Sequence, residues 1–178
     1  MILPPRRIDR IVRGLAKGEV IAYPTEGVWG LGCLPDLEAA VTRILAIKQR
    51  SWTEGLILVA SKISHVDRYL DGISEKNRRL VEYTWPSPVT FLVPDNGQVP
   101  SWIKGDHDKV ALRVSKHPTV STICHALGGP IVSTSANPTG QSPALTARQV
   151  RQYFGNEIDL LVPGNLAGLT AVSYTHLR

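Results

Sequence analysis

Three short segments of this 178-residue chain gather glycine, hydroxyl and cationic side chains beyond what a plain strand–loop–helix junction requires. The first is Tyr23-Pro24-Thr25-Glu26-Gly27-Val28-Trp29-Gly30-Leu31-Gly32. Its glycines permit close backbone approach to a ligand. Their order, G-x-x-G-x-G, is the reverse of the dinucleotide fingerprint, and Pro35 intervenes before the next helix, which argues against a Rossmann nucleotide site. On residues alone the segment is either a ligand loop or a glycine-rich turn. The second is Lys48-Gln49-Arg50. Two positions apart on a helix point to nearly opposite sides, so Lys48 and Arg50 converge on one anion only if the helix stops between or just after them. Otherwise they are cations that complement a helix C-terminus.

The third segment, Ser133-Thr134-Ser135-Ala136-Asn137-Pro138, runs from an apolar strand into four hydrogen-bonding side chains and a turn. Ligands of α/β sheets sit at the carboxyl ends of strands. Hydroxyls, an amide and free N–H groups there can hold phosphate or carboxylate oxygens. The alternative is a turn whose side chains satisfy their own backbone. Arg113 joins these candidates because Leu112 and Val114 share the opposite face of its strand, leaving Arg113 alone on its side. That side is either solvated or turned into a site. The histidines, residues 65, 107, 117, 125 and 176, show no ligand spacing. No Ser-His-Asp order, nucleophile elbow or phosphate-loop motif is present.

The elements that must position these groups follow from periodicity. Ile8, Ile11, Val12 and Leu15 recur at helical spacing with Gly18 as a stop. Residues 20–23 read as a strand, and Leu37, Val41, Ile44 and Leu45 mark a second helix capped by Asp36. Strands are expected at 56–59, 89–93, 110–114, 131–133 and 160–162, and helices at 74–83, 118–127 and 146–154. Residues 94–109 read as a long loop. Interspersed helices and strands without repeats predict a single α/β domain, a twisted mixed sheet with flanking helices.

Composition bounds the rest. Apolar residues make up 43% and charged residues 20%, ordinary for a globular chain. The longest apolar stretches are strand-sized, well short of a membrane span, and no signal-peptide core follows the N-terminal charges, so a cytoplasmic protein is expected. Cys33 and Cys124 lie far apart, read as small buried hydrophobes, and offer no thiolate metal site. No metal ligand is assigned. A formal net charge of +5 and a pI near 9.4 favour an anionic partner, nucleotide or RNA.

Taken together and in order, the segments resemble the YrdC family, the TsaC-like bacterial short-form threonylcarbamoyl-AMP synthases. The resemblance rests on the three segments above, on Gly55-Leu56-Ile57-Leu58, on Trp85-Pro86-Ser87-Pro88-Val89-Thr90-Phe91, on Leu112-Arg113-Val114 and on Pro163-Gly164. It covers nearly everything from the first helix to about residue 170. It implies a YrdC-like fold with a basic concave face. It also implies condensation of L-threonine, bicarbonate and ATP to threonylcarbamoyl-AMP and pyrophosphate, for a separate transferase that modifies tRNA. The family's K-x-R and S-x-N elements fall on Lys48, Arg50, Ser135 and Asn137, and its threonine-contacting hydroxyl on Thr25, with Arg113 and Ser133 lining the pocket. Lys48 and Arg50 are then expected to neutralise ATP phosphates, and Mg2+ to bridge phosphate oxygens. The rival expectation is a non-catalytic module that binds structured RNA on its basic face.

Two departures stand out. Ser51 replaces a proline usual after the arginine, and Glu54 replaces a lysine common before the Gly-Leu-Ile segment, which removes a positive charge beside the expected phosphates. Residues 171–178 do not resemble the family's continuation. They are expected to form an atypical tail, foreign or truncated, outside a domain of residues 1–170.

Overall fold

The computed structural model describes residues 3–168 and the backbone of 172–176. Helix α1 (Pro5–Ala16) leads into a hairpin of β1 (Ile21–Pro24) and β2 (Trp29–Gly32), followed by α2 (Glu38–Lys48), β3 (Ile57–Ala60) and α3 (Glu75–Thr84). Next come β4 (Val89–Pro94), a single turn α4 (Ser101–Lys104), β5 (Lys109–Val114), α5 (Pro118–Leu127), β6 (Ile131–Ser135), α6 (Ala147–Phe154), β7 (Leu160–Leu161) and β8 (Val172–His176). The strands form one mixed sheet in the order β7-β1-β2-β6-β3-β5-β4-β8. β1–β7, β3–β5 and β4–β8 pair parallel, and the remaining neighbours pair antiparallel.

Alternation along the strands divides the sheet's apolar residues between two faces. Ala22, Leu58, Ala60, Val132 and the β5 residues Val110, Leu112 and Val114 belong to the larger core, with Val41 and Ile44 of α2, Val81 of α3, Ile103 of α4 and Val150 and Phe154 of α6. Ile21, Tyr23, Val59 and Ile131 face the other way, against Ile11 and Leu15 of α1 and Val120 and Ile123 of α5. The second cluster covers only part of its face. The part left open carries Ile57, Ala111, Arg113, Ser133 and Ser135, and there the site forms.

The expected helices and strands are present, with four differences. Asp36 does not cap α2: the capping position falls on Leu37, without a side-chain bond, and the Asp36 carboxylate lies 3.6 Å from Arg68. Residues 29–32, expected to be turn, are a strand paired on both sides, to β1 and to β6. The expected loop at 94–109 contains α4, fastened where Trp102 Nε1 donates to the Pro35 carbonyl at 2.9 Å. Within the tail expected at 171–178, the backbone of 172–176 adds a parallel strand to β4; the remaining tail residues lie outside those described.

Candidate active site

The open sheet face is roofed by three loops, and together they enclose a cavity of about 600 Å3. The β1–β2 turn contributes Thr25, Glu26 and Val28, with Gly30 of β2 beside it; the stretch after α2 contributes Arg50, Glu54, Gly55 and Leu56; and the end of the 94–109 segment contributes Lys104, His107, Asp108 and Lys109. The floor is the sheet itself: Ile57 and Val59 of β3, Ala111 and Arg113 of β5, and Ser133, Thr134 and Ser135 of β6. The register explains why these meet. Ile57 stands between Ser133 on one neighbour and Ala111 on the other, and Val59 stands beside Arg113.

Five of the seven residues singled out from the sequence line this one cavity: Thr25, Arg50, Arg113, Ser133 and Ser135. Thr25 is fixed by its turn. Its N–H and its Oγ1 both donate to the Val28 carbonyl, at 3.1 and 2.7 Å, so the hydroxyl oxygen is left to accept from a ligand. Ser133 Oγ accepts from the Tyr23 phenol at 2.7 Å. Burial pushes the Tyr23 pKa up, which keeps that phenol a neutral donor, and the Ser133 hydroxyl hydrogen can then turn toward a ligand. Arg113 is half-buried, with Nε donating to Thr90 Oγ1 at 2.8 Å. Of the two alternatives left by strand alternation, the structure selects the site-facing one.

Arg50 and Lys48 part company. Helix α2 ends at Lys48 because Gln49 adopts the left-handed conformation (φ 52°, ψ 45°), which turns the chain before Arg50. Arg50 enters the cavity, where Nη2 donates to the Gly55 carbonyl at 3.1 Å and lies 3.4 Å from Glu54 Oε2. Its Nε is buried without a hydrogen-bond partner. Lys48 is 2% exposed and is absent from the cavity lining. Its Nζ donates to the carbonyls of Ser135 at 2.5 Å and Asn137 at 2.6 Å. Lys48, expected to meet a ligand, stands behind the lining with two of its three ammonium hydrogens on carbonyl oxygens. Asn137 also stands back from the lining: its Nδ2 donates to the Pro138 and Gln141 carbonyls and closes the turn after β6.

Cations outnumber carboxylates four to three in the lining, with Arg50, Lys104, Lys109 and Arg113 against Glu26, Glu54 and Asp108. Glu26 is the unanticipated member. It is 3% exposed, and its Oε1 accepts from Ser115 Oγ at 2.5 Å. That hydroxyl in turn accepts from the N–H of His117, whose ring caps α5 through Thr119 N and meets the Asn165 carbonyl at 3.0 Å. The chain after β7 is thereby held beside the Thr25 turn. Lys104, His107 and Lys109 were equally out of reach, because a polar loop gives no sign of which sheet face it will roof. Cys33 and Cys124 are buried, and burial pushes both thiols up to about 12, in keeping with their reading as small hydrophobes.

Such a cavity can hold an anion on fixed cations at one wall and a small polar molecule against hydroxyls and apolar floor residues at another. Comparison with known proteins bears on which molecules these are. The Sua5/YciO/YrdC family model, described as "Telomere recombination", matches residues 13–173. The Threonylcarbamoyl-AMP synthase of Hahella chejuensis is 48% identical over 166 residues, 93% of this chain and 90% of that protein. Among solved structures, P. abyssi Sua5 complexed with L-threonine superposes with a TM-score of 0.86 at 28% identity, over 93% of this chain; the chain spans about half the length of that protein, 49%. E. coli YciO superposes with a TM-score of 0.86 at 25% identity, over 99% of this chain and 86% of that one.

Proposed function

The chain belongs to the Sua5/YciO/YrdC family, and from that premise we propose that it is a threonylcarbamoyl-AMP synthase, a nucleotidyltransferase that uses L-threonine, bicarbonate and ATP. The observation that carries the reading is the convergence of Thr25, Arg50, Arg113, Ser133 and Ser135 on one cavity. Threonine offers a carboxylate, a hydroxyl and a methyl group. The Thr25 turn, the Ser133 hydroxyl and Arg113 meet its polar groups, and Ile57, Val59 and Ala111 give the methyl an apolar floor. ATP lies toward Arg50, with its phosphates between Arg50, Lys104 and Lys109. The threonine amine, as the free base, attacks the bicarbonate carbon and water leaves, giving a carbamate; a carbamate oxygen then attacks the α-phosphorus, and pyrophosphate leaves. Charge builds on phosphate oxygens, so prepositioned cations and N–H donors supply most of what the reaction requires.

Mg2+ is part of this proposal as a passenger on the phosphates. Mg2+ would keep several of its waters and be held through the phosphates of ATP. When bound it supplies charge neutralisation on the phosphate oxygens. We assign the activity to residues 1–170, place it in the cytoplasm, and pass the product to a separate tRNA-modifying transferase. No helix among the described residues is long and apolar enough to cross a membrane.

The test is pyrophosphate release from ATP with bicarbonate and Mg2+, comparing threonine, serine and no amino acid. Threonine-dependent release is expected, with serine about 10- to 100-fold poorer in kcat/KM for its missing methyl. No release with any amino acid, together with salt-sensitive binding of structured RNA, would replace this reading with the non-catalytic RNA-binding module.

Glu54 gives a second prediction. Its carboxylate sits 3.4 Å from Arg50 Nη2 and competes with phosphate for the same guanidinium. The pair is partly exposed, so it contributes less than about 1 kcal/mol. Glu54→Gln should therefore lower the KM for ATP about two- to fivefold, with the KM for threonine unchanged in the same assay.

A further inference from the structure

Lys48 is the least exposed cation among the described residues and sits beside the site without lining it. Three bonds join the end of α2 to the turn after β6: Lys48 Nζ to the Ser135 carbonyl, Nζ to the Asn137 carbonyl, and Thr139 N–H to the Lys48 carbonyl. Within that turn the Asn137 N–H also reaches the Ser135 carbonyl at 3.0 Å, so one ammonium and one N–H gather around the same oxygen. In an extended strand two carbonyls two residues apart point the same way but stand about 6.5 Å apart, too far for one ammonium to reach both at 2.5 and 2.6 Å. The two oxygens meet at Nζ only because the chain turns here. On the front of that turn is Ser135, which lines the cavity.

We propose that Lys48 is a positioning residue, which sets the 135–139 turn from behind by drawing the Ser135 and Asn137 carbonyls together and makes no contact of its own with ATP. This rests on the synthase reading of the cavity, and it divides the Lys-Gln-Arg segment into two tasks. Arg50 binds from the front, and Lys48 shapes from the back. The left-handed Gln49 is what separates them. The charge environment fits a residue committed to protein oxygens. Burial first, and then the Arg50 charge, lower the Lys48 pKa to about 8, with Glu54 acting in the opposite direction.

The experiment uses the full chain and three variants: Lys48→Met, which keeps the length and loses the donor; Lys48→Gln, which keeps a donor without the charge; and Arg50→Ala. Competition against the reaction gives the affinities of ATP and AMP. A direct ligand of the β- or γ-phosphate discriminates between the two, whereas a residue acting through the turn does not. The expected result for Lys48→Met is a kcat/KM about tenfold lower, with the ratio of ATP to AMP affinity within about twofold of wild type, while Arg50→Ala shifts that ratio about tenfold or more. Lys48→Gln recovers part of the loss. Amide hydrogen exchange of ligand-free Lys48→Met is faster at Ala136, Asn137 and Thr139 and unchanged in the strands flanking β6. A selective loss of ATP over AMP in Lys48→Met would overturn the proposal, and so would unchanged exchange in the turn. Failure of the synthase reading shows separately, as absence of threonine-dependent pyrophosphate release by the unmutated protein.

Discussion

Arg50→Ala should lower kcat/KM for ATP by about two to three orders of magnitude, the range found when one preorganised donor is removed from a charge-stabilising site. The structure explains why this side chain carries so much. Arg50 follows a helix that ends one residue earlier, so backbone geometry aims it and the side chain need not search for its pose. Its Nη2 is anchored on the Gly55 carbonyl, and Nε is buried without a hydrogen-bond partner. A planar guanidinium presents paired donors in a fixed fork, and an ammonium does not. Arg50→Lys should therefore restore only part of the activity, about tenfold short of wild type. Threonine-independent properties provide the control: the denaturant midpoint of Arg50→Ala should stay close to that of wild type, because the side chain is partly exposed and its ion pair with Glu54 is weak. A loss of less than about fivefold in kcat/KM would remove Arg50 from the phosphate site.

Much of this arrangement is legible in the sequence, and the missing parts share a cause. Period-two alternation in 110–114 places Leu112 and Val114 in the core and Arg113 opposite, as found. Helical apolar spacing locates α1, α2 and α5, and the Ser133–Ser135 hydroxyls emerge at the end of a buried strand as expected. What periodicity does not convey is backbone direction at single residues. Nothing about Gln49 marks it as left-handed, since glycine or asparagine is the usual signal there, yet that one torsion decides that Lys48 and Arg50 serve different sides of the 133–137 segment. Trp29-Gly30-Leu31-Gly32 reads as a turn because glycine is depleted in strands; hydrogen bonds to β1 and β6 on both edges override the propensity. Lys104 and His107 reach the site through contacts between segments far apart in sequence, which no local pattern encodes.

Gly105→Ala should destabilise the protein by about 2–6 kcal/mol, the sum of an unfavourable backbone region at about 1–3 and an overpacked contact at about 1–3. Gly105 ends α4 at φ 63°, ψ −140°, a conformation essentially reserved for glycine. A Cβ there would lie 2.5 Å from the Thr53 carbonyl oxygen and 2.7 Å from that of Trp52. Both are backbone atoms, so no rotamer change relieves the clash. The approach is mutual, since a Cβ on Gly55 would stand 2.8 Å from the Lys104 carbonyl oxygen. These two segments form one wall of the cavity and are laced together by Leu56 N–H to the Ile103 carbonyl at 2.7 Å and Asp106 N–H to the Thr53 carbonyl at 3.3 Å. Prising them apart displaces the Gly55 carbonyl that anchors Arg50, so activity should fall even at temperatures where the variant stays folded. Gly72→Ala separates the two contributions, because Gly72 also has positive φ, 87°, but nothing lies within 4 Å of its Cβ position. Denaturant unfolding of both variants reads the difference. If Gly105→Ala costs no more than Gly72→Ala, the wall is looser than its backbone contacts imply, and Arg50 owes its aim to Gln49 alone.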